Sequence, residues 1–100
     1  MRASEVRRVF RDGRSAHGER VVLLLAPGSG SSAVVAGRRV GGSVQRNRAR
    51  RILRAAWRQV APQVEQGYDA VLVAREAIEG AQTQDLVAEM TELLRQVTRP

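Results

Sequence analysis

One hundred residues, 43% hydrophobic and with a net charge of +7, make one small domain with a single core, burying roughly 60–70% of its unfolded surface. That length excludes a second domain, and the composition excludes a wholly disordered chain. The absence of cysteine rules out a disulfide framework and thiolate metal sites. No apolar run approaches membrane-spanning length, and the basic start Met1–Arg8 leads into no signal-type apolar stretch. The expectation is a soluble, cytoplasmic protein that does not engage membranes. All seventeen basic residues are arginine. Genome composition accounts for this more readily than a preference for bidentate phosphate contacts.

In chain order, Ser4 is placed to cap a short helix whose Val6, Val9 and Phe10 share one face, with Gly13 as its left-handed stop. Val21–Ala26 is a β-rich apolar run closed by the turn cluster Pro27-Gly28-Ser29-Gly30, and Ser32–Ala36 is expected to return antiparallel as the second arm of a hairpin. Gly37–Gly42 sets Arg38 and Arg39 between glycines, as a strand end or loop. A long helix is predicted from Ser43 to Glu65 or Gln66, with Pro62 in its last turns and Gly67 as its stop. Tyr68–Arg75 reads as a strand whose run Ala70–Ala74 is apolar throughout, as if buried on both faces. Thr83 is then expected to cap a final helix carrying Leu86, Met90, Leu93, Leu94 and Val97 at a 3.6-residue period. The fold class is α+β, in the order helix, strands, long helix, strand, helix, with the helices packed on a sheet.

Arg38 to Arg58 holds eight arginines and no acid, whereas the other 79 residues hold nine arginines against ten acids. The net charge is therefore concentrated in one segment, the footprint of a protein that neutralises phosphates and releases counterions. On the long helix, Ala49, Leu53, Ala56, Trp57, Val60 and Val64 fall on one side with Ile52 at the border, while Asn47, Arg50, Arg51, Arg54 and Arg58 fall on the other. Arg46, Arg50, Arg54 and Arg58 form an i, i+4 series with bases about 6 Å apart along the axis. Like charges at that spacing each destabilise a helix by a few tenths of a kcal/mol. No acid precedes Glu65 in the helix to offset them, so a solvated salt-bridge face explains the pattern poorly. Asn47, between two arginines, reads as a nucleotide or hydrated-metal contact.

Arg46-Asn47-Arg48, then Ala49-Arg50-Arg51 and Arg54, resemble the signature of the bacterial ribonuclease P protein component: Arg-Asn-Arg, any residue, Lys/Arg-Arg, then Arg three further on. Arg38-Arg39-Val40-Gly41 and Ser43-Val44 stand where that family has a basic pair, an aliphatic residue and Gly, then the lead into its helix. Val9-Phe10 with Gly13, and Tyr68 through Ala74-Arg75, are similar to its N-terminal Val-Phe…Gly and its strand ending in Ala-Arg. The resemblance spans nearly the whole chain.

The resemblance implies an αβββαβα sandwich acting as one RNA-binding domain over residues 1–100, with its long helix in a left-handed βαβ crossover. Such crossovers are right-handed in about 98% of cases, so the handedness rests on the resemblance alone. It further implies a subunit joined to a large catalytic RNA, which cleaves the 5′ leader from precursor tRNA with Mg2+ bound chiefly by the RNA. No obligate protein partner and no catalytic or metal-binding residue of the protein is expected. Arg38, Arg39, Arg46, Asn47, Arg48, Arg50, Arg51 and Arg54 would face the catalytic RNA, with Arg58 extending the ridge. A cleft between the first helix and the sheet would take the leader at Val6, Phe10 and Leu24. There the chain departs from the family, with Val6, Val21 and Leu24 at positions often aromatic, leaving Phe10 as a stacking platform or, equally, as a core aromatic. The sequence also opens almost directly on the first helix, where the family commonly carries a basic extension.

Other chemistry is sparse. His17 lacks a triad or ligand-set partner in its polar surroundings, and Pro27–Gly30 reads as a hairpin turn without a P-loop lysine. Glu76, Glu79, Asp85, Glu89 and Glu92 read as helix-start and solvent-face residues. The alternative to an RNA-holoenzyme subunit is another basic nucleic-acid-binding protein, ribosomal-type or DNA-binding. That reading calls for long basic tails, or for groove-reading side chains and dimer symmetry, and none of these shows in the sequence. A membrane-bound amphipathic helix would need the apolar face that covers the sheet.

Overall fold

Two strands with long apolar runs, Val21–Ala26 and Ala70–Ala74, settle the architecture, because each needs a partner on both edges and a cover on both faces. The computed structural model describes residues 1–98. Its elements are α1 (Ala3–Asp12), β1 (Arg14–His17), β2 (Val21–Pro27), β3 (Ser32–Val35), α2 (Ser43–Val60), β4 (Tyr68–Ala74) and α3 (Thr83–Thr98). The sheet order is β1-β2-β4-β3, so the apolar strands β2 and β4 are central.

β2 runs antiparallel to both β1 and β4, with Leu23 opposite Ala16 on one side and Leu72 on the other. The hairpin expected between Val21–Ala26 and Ser32–Ala36 does not form. β3 instead pairs parallel with β4, Val34 opposite Leu72, and α2 makes the crossover between them. Ser32–Val35 is short and no residue of it is fully buried, so it suits an edge, and the longer apolar β4 takes the central place. β1 is the further strand before the long helix that the resemblance implies, although no residue pattern marks it. Its four residues include one buried side chain, Ala16, too little periodicity to signal a strand.

Strand alternation sends Val21, Leu23 and Leu25 with Ala70, Leu72 and Ala74 toward α2 and α3, where the larger core forms around Leu53, Leu86 and Met90. The opposite face carries Leu24, Ala26 and Val71 under Val9 of α1, with Val6, Val22, Val35 and Val73 half-buried around them. Truncating the fully buried Leu53 to Ala would cost about 2–5 kcal/mol.

Several helix ends differ from expectation. α1 begins at Ala3 after Arg2 with no side-chain cap, so Ser4 does not serve as one. Gly13 is not left-handed, at φ −78°. It is needed for close approach, since a Cβ there would lie 2.4 Å from the Val9 carbonyl oxygen and 2.9 Å from that of Leu25. α2 stops at Val60 and passes into a 3₁₀ turn at Ala61–Gln63, where Pro62 cannot donate an N–H. Gly67, at φ +91°, turns the chain into β4 rather than ending the helix. Thr83 is the first residue of α3, and the cap comes from Asp85, whose carboxylate accepts the Gln82 N–H at 2.8 Å.

Candidate nucleic-acid interface

α2 owes its orientation to its apolar stripe. Ala49, Ile52, Leu53, Ala56 and Val60 are buried, which turns Asn47, Arg51, Arg54 and Arg58 outward, all exposed, with Arg46 and Arg50 half-buried beside them. Trp57 and Val64 pack on the core margin. Just ahead of α2, a 3₁₀ turn at Arg38–Val40 buries Val40 and leaves Arg38 and Arg39 exposed. Gly41, at φ +133°, adopts a conformation open to glycine, and joins this turn to the helix.

None of the eight arginines from Arg38 to Arg58 forms an ion pair among the described residues; the pairs there are Arg8–Asp69, Arg11–Asp12, Arg20–Glu89 and Arg95–Glu92. Two of the eight make side-chain hydrogen bonds. Arg50 donates to Asn47 Oδ1, so Asn47 orients a neighbouring guanidinium on the exposed face. Arg48 donates from Nη2 to the Ala81 carbonyl at 2.7 Å, which turns it to the flank of the ridge, toward the turn leading into α3. The rest of the set presents guanidinium groups with no carboxylate to neutralise them, a surface suited to a polyanion.

On the other face of the sheet, Phe10 is 49% exposed, which removes the core reading for that ring. Val6 is half-buried beside it, while Leu24 is only 5% exposed beneath α1. Leu24 therefore supports this surface from below, and the half-buried side chains on that face of the strands are Val22, Val35 and Val73.

Sequence reasoning missed the polar centre of this region. Asp69, at the start of β4, is 1% exposed. Its Oδ1 accepts the backbone N–H groups of Ser29, Gly30 and Ser31 at 3.0, 3.0 and 2.9 Å. Its Oδ2 accepts Arg8 Nη2 at 2.5 Å, while Arg8 Nη1 donates to the Pro27 carbonyl at 2.8 Å. Burial raises the carboxyl pKa, but the N–H donors and Arg8 together outweigh it and hold the group below its ordinary value. The expected hairpin turn is thus a loop folded around a carboxylate, and Gly28 is required because a Cβ there would overlap Asp69. Glu89 was misread too: it accepts the N–H groups of Arg20 and Val21 at 2.8 and 2.9 Å, satisfying the start of β2 from α3.

No group of three or more His, Asp or Glu side chains placed to hold a metal ion occurs among the described residues. The one buried carboxylate has its oxygens engaged by four donors. These side chains do not fit a protein-held Mg2+. His17 is exposed on β1, with Ser15 Oγ 3.5 Å from its Nε2; no carboxylate completes a triad there.

A four-stranded α+β sandwich that turns an unpaired arginine face outward is an RNA- or DNA-binding type of protein by its chemistry. Its family is ribonuclease P, to which the chain belongs: the model of the family described as Ribonuclease P matches residues 1–98. The "Ribonuclease P protein component" of Chloroflexus aurantiacus is 42% identical over 100 residues, covering 95% of this chain and 73% of that protein. The protein of the same name from Symbiobacterium thermophilum is 45% identical over 73 residues, covering 69% and 64%. The fold matches the ribonuclease P protein of Thermotoga maritima at a TM-score of 0.82 and 21% identity, covering 99% of this chain and 97% of that one. It also matches the Staphylococcus aureus protein at 0.77 and 16%, covering 98% and 93%. The chain is thus an accessory subunit of a tRNA-processing ribonucleoprotein enzyme, and its partner is that enzyme's RNA. Among the described residues no helix is long and apolar enough to cross a membrane.

Proposed function

We propose that this protein, as one cytoplasmic RNA-binding domain, grips the catalytic RNA with one face and the 5′ leader of precursor tRNA with the other. Arg38, Arg39, Arg46, Asn47, Arg50, Arg51, Arg54 and Arg58 contact the catalytic RNA, and Arg48 contributes from the flank. The leader lies across α1 and the open part of the sheet, on Phe10 and Val6, with Leu24 as their support. Catalysis belongs to the RNA, and Mg2+ is held chiefly by it. The observation that carries this reading is the arginine face of α2, which has no carboxylate within ion-pair distance among the described residues and so is built to be neutralised from outside.

The test is reconstitution with a bacterial ribonuclease P RNA, following precursor-tRNA cleavage at low magnesium. Cleavage should rise when the protein is added and be absent with the protein alone. No stimulation, or cleavage by protein that persists after nuclease treatment removes contaminating RNA, contradicts the proposal.

A further inference from the structure

Helix α1 has little to hold it in one orientation. It is 10 residues long, has no side-chain cap at its start and fully buries one residue, Val9. A helix of that length is marginal by itself. The contacts of Val9 with Leu24, Ala26 and Val71, and of the half-buried Val6 with the same cluster, are apolar and non-directional, so they fix distance better than rotation. Arg8 and Phe10 lie to either side of Val9 around the helix axis. On the Arg8 side stand two directional bonds, from one guanidinium to the Pro27 carbonyl and to Asp69. Asp69 is itself fixed by the three N–H groups of the Ser29–Ser31 loop.

We infer that Arg8 is a positioning residue for the leader cleft, a two-point clasp that sets the rotation of α1 and thereby the place of Phe10. This rests on the reading of that face as the leader site. Arg8 then differs in kind from the arginines of α2, because its guanidinium is occupied by the protein rather than offered to phosphate. The clasp joins α1, the 27–31 loop and β4 at one buried carboxylate, so loosening it tilts the stacking platform while the catalytic-RNA face, on the opposite side of the sheet, stays as it was.

The experiment uses the full protein assembled with a bacterial ribonuclease P RNA and compares precursor tRNA with mature tRNA for Arg8→Gln, Arg8→Lys and Phe10→Ala. Arg8→Gln should weaken precursor binding on the order of tenfold, within the range for loss of one base–aromatic stack, while mature-tRNA binding stays unchanged. The log–log salt slope should also stay constant, whereas loss of a direct phosphate contact lowers it by about 0.7–0.9. Arg8→Lys should recover part of the effect, because one ammonium can pair with Asp69 but lacks the planar fork that also reaches Pro27. Should Arg8→Gln fail to fold, Arg8→Lys carries the test, and full wild-type leader preference in it overturns the inference. Equal losses for both substrates, or a reduced salt slope, also overturn it. A leader-specific loss in Phe10→Ala with none in Arg8→Gln defeats the clasp alone, whereas no leader-specific loss in either variant defeats the leader-cleft reading as well.

Discussion

On α2, arginines stand four residues apart with no acid in the helix. Six of the eight from Arg38 to Arg58 make no side-chain hydrogen bond or ion pair among the described residues. On α1, Arg11 faces Asp12 at 3.0 Å and Arg8 reaches Asp69, which the sheet buries. The same side chain therefore does opposite work on the two sides of one sheet. Where arginine meets a buried carboxylate it builds the fold, at a desolvation cost that the loop N–H groups offset. Where it meets only other arginines it weakens the free helix, and in the proposed function it gains its partner on binding.

Breaking the outward face should produce the largest effect. Arg50→Glu with Arg54→Glu removes two cations and adds two repulsive charges, so affinity for the catalytic RNA should fall by about 3–6 kcal/mol in a filter-binding or fluorescence titration, at 1.5–3 kcal/mol per charged contact. The melting temperature should hold or rise, since like-charge repulsion along α2 is relieved. Breaking the inward pair should do the reverse. Asp69→Asn keeps an oxygen for the three loop N–H groups but sets an NH2 donor against the part-exposed Arg8 guanidinium, and denaturant unfolding should show a loss of about 1–3 kcal/mol.

Asp69 makes the stability of the protein depend on pH in one direction. Its pKa is lowered in the folded state, so its contribution is present above the ordinary carboxylate value, about 3.9, and is lost as pH falls through the lower folded value. Acid unfolding should therefore steepen below about pH 4 in the wild type, and Asp69→Asn should lose that component. A variant with an unchanged acid limb would show that the clasp adds nothing to stability.

Further variants sharpen the contrast. Phe10→Leu should weaken leader binding by about 1–3 kcal/mol through the lost stack. Stability should move by no more than about 0.5 kcal/mol, because the ring is 49% exposed. Arg48→Lys should be milder still. Its guanidinium is committed to the Ala81 carbonyl, so about 0.5–1.5 kcal/mol of stability should go, with less change in RNA salt slope than at Arg50 or Arg54.

Much of this could be read from residues in sequence. The 3.6-residue stripe from Ala49 to Val60 and the unbroken apolar run in β4 place both elements and turn the arginines outward, since these signals are local. Strand order was not legible, because whether Ser32–Val35 pairs with β2 or β4 depends on which strand is buried on both edges in the assembled sheet. β1 came only with the resemblance, because a four-residue edge strand with one inward side chain carries almost no period. The Arg8–Asp69 contact was invisible for another reason: its partners are 61 residues apart. An Asp at the head of a strand looks like a solvated residue until the loop closes over it. The candidate RNA face was therefore readable and the clasp beneath the other face was not, because the first repeats along one helix and the second is a tertiary contact.

In the proposed function, position on α2 and not total charge makes the catalytic-RNA site, and moving the charge separates the two. Arg50→Gln with Arg54→Gln removes two positive charges from the ridge, and Ala88→Arg with Gln96→Arg returns them at exposed positions of α3, restoring a net charge of +7. Holoenzyme assembly, measured as binding to the catalytic RNA across a salt series, should remain as impaired as in the double Gln variant, with the slope still reduced by about 0.7–0.9 per lost contact. Recovery of wild-type affinity and slope by the relocated arginines would show that net charge suffices, and would contradict the account.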